Sequence, residues 1–394
     1  MRIAVILLRW VLSFIYFFMK LLPVKRNKVI FLSRQSNSPS DDFLMLRDAL
    51  AEKNPELEFV MITQRADGDI KSLAKFALKT LSSMRHLATA GVCVLDSYWP
   101  AVSILKHKDS LTVVQLWHAM GKIKKSGYQS VGKKLGRSDV IAKELRMHRN
   151  YDVIIAGGRA FNPFYCASFG VEDDILYNVG LPRMDRLREG VSAARAEFYS
   201  AYPELEGKRI VLYAPTFRKK QELDPTALVS VFDFDAGNTL IIKKHPNQRI
   251  KDGSLGRALT CDKVSTATVL SVCDCIITDY SAITIEAAIL GKPVFFYLFD
   301  YEQYLSENGL NVKLFDEFPE CTFRECQGLV KALESTDYDK ENYRRFCKKY
   351  LPDLRGRATD KIADLIIDCI EKGKGYAISE HISRQNEADG VMGD

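Results

Sequence analysis

The sequence predicts an α/β chain made of two doubly wound, Rossmann-like halves. Three observations carry the prediction. Short β-branched or aromatic runs alternate with helical stretches from Lys28 onward. At 394 residues the chain exceeds the size at which a single hydrophobic core usually keeps growing. The runs also fall into two series, with a break near residues 190–207. Hydrophobic residues make up 47% and charged residues 27%, the composition of a folded globular protein, which excludes global disorder.

The first element stands apart. Residues Ile3 to Val24 are almost entirely apolar, broken by Arg9, Ser13 and Lys20. At about 100° per residue, Arg2, Arg9, Ser13 and Lys20 fall within roughly 20° of one line, so the polar groups form a narrow stripe. Such a helix is expected to lie in a membrane interface. Trp10, Phe14, Ile15, Phe17 and Phe18 would enter the acyl boundary, while Lys25, Arg26 and Lys28 meet anionic headgroups. A buried first helix and a spanning anchor are the alternatives. No small-residue cleavage site follows.

In the first series, Val29–Ser33 reads as a strand, Ser40 caps a helix over Asp41–Lys53, and Phe59–Thr63 reads as the next strand. Val92–Leu95, Thr112–Leu116, Asp152–Ala156 and Ile175–Val179 follow. The second series comprises Arg209–Tyr213, Thr239–Lys243, Cys275–Thr278 and Val294–Tyr297. The expected segments are therefore a membrane-associated helix (1–26), two Rossmann-like domains (27–195 and 196–375) and a polar flexible tail (376–394), in which His381 has no role.

Nine cysteines without a CxxC pair indicate neither a disulfide framework nor a zinc ribbon, and fit a reducing compartment. Cys273 and Cys275 alternate in an apolar run and read as small buried strand residues. The net charge of +6 is modest, but Lys122 to Arg149 is a basic cluster. It reads as a solvated face or as a site for an anionic acceptor at a membrane. It lacks the interleaved aromatics of a single-strand binder, so nucleic acid is not expected.

Chemistry-bearing residues gather at strand ends, where α/β sheets bind ligands. After Cys275–Thr278 come Asp279, Tyr280 and Ser281, with Ser281 placed to cap a helix of about nine residues closed by Gly291 and Pro293. Backbone N–H groups at such a start attract a phosphate, assisted by the Thr278 or Ser281 hydroxyl; an ordinary capped helix is the alternative. Trp117-His118-Ala119, His245-Pro246 and Thr216-Phe217-Arg218 end three other strands. A histidine there can take a proton from an attacking hydroxyl or donate to a phosphate. His86, His107 and His148, in basic helical or loop stretches, read as surface residues. Gly180-Leu-Pro-Arg183-Met-Asp185 is a rigid turn carrying an Arg–Asp pair, structural or site-bearing. Asp233-Phe-Asp235 imitates a DxD metal motif but precedes a strand instead of following one, so no metal is assigned.

Six pieces in this order resemble the CDP-glycerol glycerophosphotransferase family, the teichoic-acid glycerol- and ribitol-phosphate transferases. They are Gln115–Tyr128, Gly180–Asp185, Leu212–Arg218, Lys243–Pro246, Ile277–Ser281, and Asp300 with Tyr304 and Gly309. The Trp-His-Ala-x-Gly form, with Lys124 and Lys125 following, is most similar to the short primase-type members. The resemblance implies a GT-B fold of two facing domains, at the cytoplasmic face of the membrane and without a cofactor. It implies attack by a hydroxyl of a lipid-linked saccharide on the β-phosphate of CDP-glycerol, releasing CMP.

Carried onto this chain, the resemblance makes His118 the base. His245, the second catalytic residue, would hold the pyrophosphate and stabilise the leaving CMP together with Thr216, Arg218, Thr278, Asp279 and Ser281 at the donor, and Arg183, Asp185, Lys124 and Lys125 would line the acceptor side or the cleft. Ala282 and Glu286 stand where the family commonly has serine and aspartate. Glu286 can still reach a ribose or polyol hydroxyl, and CDP-ribitol stays open as donor. A nucleotide-sugar transferase or epimerase and a non-catalytic membrane scaffold are the competing readings. Self-association into a homo-oligomer is compatible with all of them.

Overall fold

A computed structural model of the chain describes residues 2–390, apart from 66–69, 135, 219–220, 246–247, 336–337 and 339. The chain forms two compact units. The first comprises residues 1–120, 125–183 and 352–394, and the second residues 121–124 and 184–351.

Unit 1 holds a parallel sheet of β1 (Lys25–Ser33), β2 (Glu58–Thr63), β3 (Ala90–Leu95), β4 (Thr112–Gln115), β5 (Val153–Ile155) and β6 (Leu176–Tyr177), in the order β2-β1-β3-β4-β5-β6. Helices cover both faces, so the central strands are apolar throughout: Val29 to Leu32 and Val92 to Leu95 are fully buried. Strand order reverses between β1 and β3, which makes the carboxyl ends of those strands the natural ligand crevice.

Helix α2 (Asp41–Lys53) shows how local sequence fixes an element. The Ser40 hydroxyl accepts from Phe43 N, Asp41 and Asp42 occupy the first turn and Lys53 the last. Phe43, Leu46 and Leu50 form its buried stripe, with the Phe43 ring 5.1 Å from that of Phe31.

Helix α1 (Arg2–Met19) docks by its polar stripe. Arg2 Nε donates to Glu144 Oε1 at 2.9 Å, and Arg9 donates to the Glu144 carbonyl at 3.0 Å. The Tyr16 hydroxyl meets His107 Nδ1 at 2.8 Å, while His107 Nε2 lies 2.8 Å from the Val102 carbonyl. His107 is thus a docking residue, and burial pushes it down to about 4. The opposite face of α1 exposes Ile3, Leu7, Trp10, Phe14, Phe17 and Phe18. Helix α3 (Ile70–Thr89) turns a second apolar stripe outward. Ile70, Leu73, Ala74, Ala77, Leu78 and Leu81 are exposed at helical spacing, beside Lys71, Lys75 and Lys79.

The expected flexible tail is a correction. Residues 374–390 form a helix, α7 (Lys374–Gly390), which with α6 (Ala358–Lys372) belongs to unit 1. Lys374 Nζ donates to Asp152 at 2.9 Å, Asn178 N donates to Gln385 Oε1 at 2.9 Å, and buried His381 pairs with Asp368 at 2.9 Å. Polar composition here reflects partners supplied by other parts of unit 1. Residues 391–394 lie outside the described residues.

Unit 2 holds β7 (Arg209–Tyr213), β8 (Asn238–Ile242), β9 (Cys275–Thr278), β10 (Val294–Tyr297) and β11 (Thr322–Phe323), all parallel in the order β11-β10-β9-β7-β8. Its reversal lies between β7 and β9. Cys273 and Cys275 are buried and unpaired, with both thiols pushed up to about 12 by burial. Asp233 makes a local turn, its carboxylate accepting from Asp235 N and Ala236 N, while Asp235 pairs with Arg257.

Candidate functional site

In unit 2 the carboxyl ends of β7 and β9 build a charged hub around Arg218. Its Nε donates to Asp300 Oδ2 at 2.7 Å, its Nη2 to Asp300 Oδ1 and Asp279 Oδ2 at 3.0 Å each, and its Nη1 to the Thr216 carbonyl at 2.9 Å. The guanidinium lies 4.9 Å from the Tyr304 ring and 5.4 Å from that of Tyr280, and those two rings stack at 4.0 Å. Burial works against the charge on Arg218, but Asp279 and Asp300 outweigh it and hold the guanidinium charged. Tyr280 reinforces the hub, its hydroxyl donating to Asp300 at 3.1 Å.

Asp279 is almost completely buried. It also accepts from Thr216 N at 2.8 Å and from Tyr280 N at 2.6 Å. The Thr278 hydroxyl donates to the Ala214 carbonyl at 2.8 Å. Thr216, Arg218, Thr278 and Asp279 therefore come together in one hydrogen-bonded cluster, in which the buried Thr216 Oγ1 has no hydrogen-bond partner among the described residues. Helix α5 (Ile283–Ile289) is shorter than expected and is capped by Ala282 without a side-chain bond. The Ser281 hydroxyl instead accepts from Ile283 N at 3.4 Å, within the turn. Ser281 and Glu286 are half-buried at this edge.

His245 is exposed and packs on Phe217, with ring centroids 5.0 Å apart, next to Thr216 and Arg218 in sequence. Its neighbour Pro246 lies outside the described residues. Gln248 ties the two loops: its Oε1 accepts from Arg218 N at 2.9 Å and its Nε2 donates to the Gln221 carbonyl at 2.6 Å.

The segment 121–124 belongs to this unit. Asn311 N donates to the Ile123 carbonyl at 2.8 Å, and the Asn311 amide donates to those of Lys122 and Lys124 at 2.9 and 3.2 Å. Lys124 is thereby placed in the field of Asp279 and Arg218. Burial lowers its ammonium, Asp279 opposes that and Arg218 adds to it. Lys125 begins the return to unit 1.

In unit 1, Trp117 and His118 follow β4. Trp117 has φ 61°, a left-handed conformation that is costly for a bulky residue, and its N–H donates to buried Gln115 Oε1 at 2.8 Å. Its ring packs on His118 at 4.2 Å. His118 is exposed. Its Nδ1 lies 3.2 Å from the Asp96 carbonyl and 3.0 Å from the Gln35 amide, whose N and O can exchange by a flip. A carbonyl only accepts, so the tautomer with hydrogen on Nδ1 satisfies Asp96 and puts the ring's lone pair on Nε2. Asp96 itself is pushed up to about 6 by burial.

Arg183 has a carboxylate partner other than Asp185. Arg183 N and Nε donate to buried Asp42 at 2.8 Å each, tying the turn to α2, while Asp185 is buried at the start of unit 2. Gly180 permits that turn with φ 74°, its N–H donating to the Ala156 carbonyl at 2.9 Å. His148 is another correction. It is buried among Phe169, Tyr98 and Trp117 at 4.7, 5.7 and 5.8 Å, and its Nδ1 meets the Tyr151 hydroxyl at 3.1 Å, because neighbouring aromatics take up the ring while the basic residues face outward. Gln35, Asp96 and Gln248 were missed from sequence. Their signal was position, one or a few residues past a strand end.

A family model described as CDP-glycerol:poly(glycerophosphate) glycerophosphotransferase matches residues 14–368. The chain is 30% identical over 367 residues to the teichoic acid ribitol-phosphate primase of Bacillus spizizenii, covering 90% of this chain and 94% of that one. It is 23% identical over 330 residues to the teichoic acid glycerol-phosphate primase of Bacillus subtilis, covering 82% of each. A variant of the wall teichoic acid polymerase TagF soaked with CDPG shares the fold, with a TM-score of 0.71 at 18% identity over 89% of this chain and 90% of that one. The chain belongs to the CDP-glycerol:poly(glycerophosphate) glycerophosphotransferase family, and the resemblance carried by its strand-end motifs is borne out.

Proposed function

We propose, with that family membership as the premise, that this chain transfers an alditol phosphate from a CDP-alditol to a hydroxyl of a membrane-lipid-linked saccharide. The observation that supports the reading is His118 exposed past the end of β4 with its Nδ1 3.2 Å from the Asp96 carbonyl, an acceptor that favours the proton on Nδ1 and the basic lone pair on Nε2. Nε2 takes the proton as the acceptor oxygen bonds to the β-phosphorus. The bond from that phosphorus to the bridging oxygen breaks, and CMP leaves with the electron pair.

On the donor side, Arg218 has its donors committed to carboxylates and a carbonyl, so it shapes the edge. Exposed His245, the Ser281 hydroxyl and Lys124 are the groups proposed to meet the diphosphate, with Glu286 toward the ribose or polyol. The GT-B class implied by the motifs is part of this reading. CDP-glycerol is the donor the motifs imply. CDP-ribitol is the second reading, favoured by the closer match to the ribitol-phosphate primase than to the glycerol-phosphate primase.

The test is CMP release and product mass from each donor with a short lipid-saccharide acceptor. Turnover is expected with one CDP-alditol, and His118→Ala should lower it by roughly 10²–10⁴-fold. Turnover of UDP-sugars with no cytidine donor used would overturn the reading.

The chain is further proposed to rest on the cytoplasmic membrane surface by the outward faces of α1 and α3. Neither helix carries an acidic residue, and the apolar stripe of α3 is flanked by Lys71, Lys75 and Lys79, which suits an anionic interface. A chain beginning at Asn27 and carrying Leu73→Ser and Leu78→Ser should leave the membrane fraction; unchanged sedimentation with anionic vesicles would refute the surface.

A further inference from the structure

The carboxyl ends of β1, β3 and β4 frame a cavity of about 350 Å³ that the role of His118 leaves unused. Its lining includes Arg34, Gln35, Tyr98, Trp117, Gly127 and Arg137. Two of these also touch the base, Gln35 at 3.0 Å and Trp117 at 4.2 Å between ring centroids. The cavity thus lies beside the group proposed to take the proton. It also sits at the β1/β3 reversal of strand order, where open α/β sheets bind ligands.

Charge in this cavity is one-sided. The Arg34 guanidinium lies 5.8 Å from the Phe76 ring and that of Arg137 lies 4.7 Å from the Tyr98 ring. Neither has a carboxylate partner among the described residues. Burial, and then the charge of Arg137, push Arg34 down from the usual arginine range, with Tyr98 opposing. Two cations lining one cavity, near enough for the charge of Arg137 to act on Arg34, are an unfavourable arrangement that an anion between them relieves. Guanidinium forks stay charged and match phosphate oxygens in bidentate geometry.

We infer that Arg34 and Arg137 form a subsite for a phosphate group carried by the acceptor, next to the hydroxyl that His118 deprotonates. The inference rests on the proposed transfer reaction and deepens it: the acceptor ends in a phosphorylated alditol or sugar, not in a neutral one. A neighbouring cavity of about 520 Å³ shares Met147 and His148 with the first and adds Lys143, Arg146 and Arg149. It continues the basic path toward α4 (Asp139–Glu144), whose Glu144 holds α1. An anionic acceptor tethered to a membrane lipid would follow that path.

The experiment is CMP release by the full chain with its CDP-alditol and two matched acceptors, a short lipid-saccharide with and without a terminal glycerol phosphate. The parent should favour the phosphate-bearing acceptor at least tenfold in kcat/KM. In the double variant Arg34→Gln/Arg137→Gln, KM for that acceptor should rise tenfold or more, and the preference should collapse toward one, without a matching rise in donor KM. Arg34→Lys, which keeps charge but loses the fork, should fall between. Equal use of both acceptors by the parent would overturn the inference and leave the transfer reaction standing. A rise confined to donor KM would assign the pair to the donor's diphosphate and also overturn it. No CMP release with either donor and either acceptor would remove the transfer reading and this inference with it.

Discussion

The two carboxyl edges of this chain carry the same residue types and use them in opposite ways. At the β7/β9 edge of unit 2, Arg218 donates to Asp279, to both oxygens of Asp300 and to a backbone carbonyl, with aromatic rings against its faces. At the β1/β3 edge of unit 1, Arg34 and Arg137 line one cavity, each beside an aromatic ring, with no carboxylate partner among the described residues. An arginine past a strand end therefore says little about ligand binding until its acceptors are known. The edge around Arg218 already meets its cation with carboxylates, and the edge around Arg34 is where an anion has something to neutralise.

The largest expected effect tests the scaffold half of that contrast. Removing the side chain in Arg218→Ala leaves buried Asp279 and half-buried Asp300 without their cation. Breaking a buried pair from one side costs roughly 3–5 kcal/mol. Denaturant unfolding should show a loss of that size, with Arg218→Lys recovering part of it because charge is restored without the fork. A loss under about 1 kcal/mol, the scale of an exposed pair, would mean that the hub is not what holds the edge together.

A second, smaller effect belongs to unit 1, where Asp96 is buried and its Oδ1 has no hydrogen-bond partner among the described residues. Burial raises its carboxyl from 3.8 to about 6, Asp42 adds to this, and Ser33, Ser97 and Arg183 oppose it. An acid raised in the fold contributes stability that is fully present below the unfolded value. That contribution is lost as pH rises through about 6, where the fold must carry the buried charge. Asp96→Asn should therefore gain stability relative to the parent between pH 4 and pH 7.5, by up to about 3 kcal/mol at 1.36 kcal/mol per pKa unit. Paired thermal melts across that range measure the change. A gap between variant and parent that does not move with pH would show that Asp96 is already charged in the fold.

Much of this architecture was legible because its signals are local. Arg209–Tyr213, Cys275–Thr278, Val294–Tyr297 and helix Asp41–Lys53 fall where apolar period, Ser40 and turn residues put them. Strand-end motifs were equally visible, since carboxyl edges collect polar residues between apolar runs. What stayed hidden depends on partners distant in sequence. Asp300, which claims Arg218, lies 82 residues away, and Asp42, which claims Arg183, lies 141 away. The strap that carries Lys124 into unit 2 depends on Asn311, and the helical tail depends on Asp152 and Asn178. Composition alone made that tail look disordered and made buried His148 look exposed.

The smallest expected effect is the sharpest test of the contrast. Because Arg34 and Arg137 repel each other and pair with no carboxylate among the described residues, Arg34→Gln and Arg137→Gln should each change stability by no more than about 0.5 kcal/mol, the range of a surface substitution. A slight gain is the favoured sign, since either change relieves like-charge repulsion while sparing most of the contact with Phe76 or Tyr98. Inorganic phosphate should raise the melting temperature of the parent and lose that effect in the double variant, because a ligand that binds only the folded state stabilises it in proportion to its occupancy. If either single variant instead lost several kcal/mol, as expected for Arg218, the unit 1 arginines would be scaffold as well. The difference between the two edges would then be one of aromatic packing and not of unmet charge.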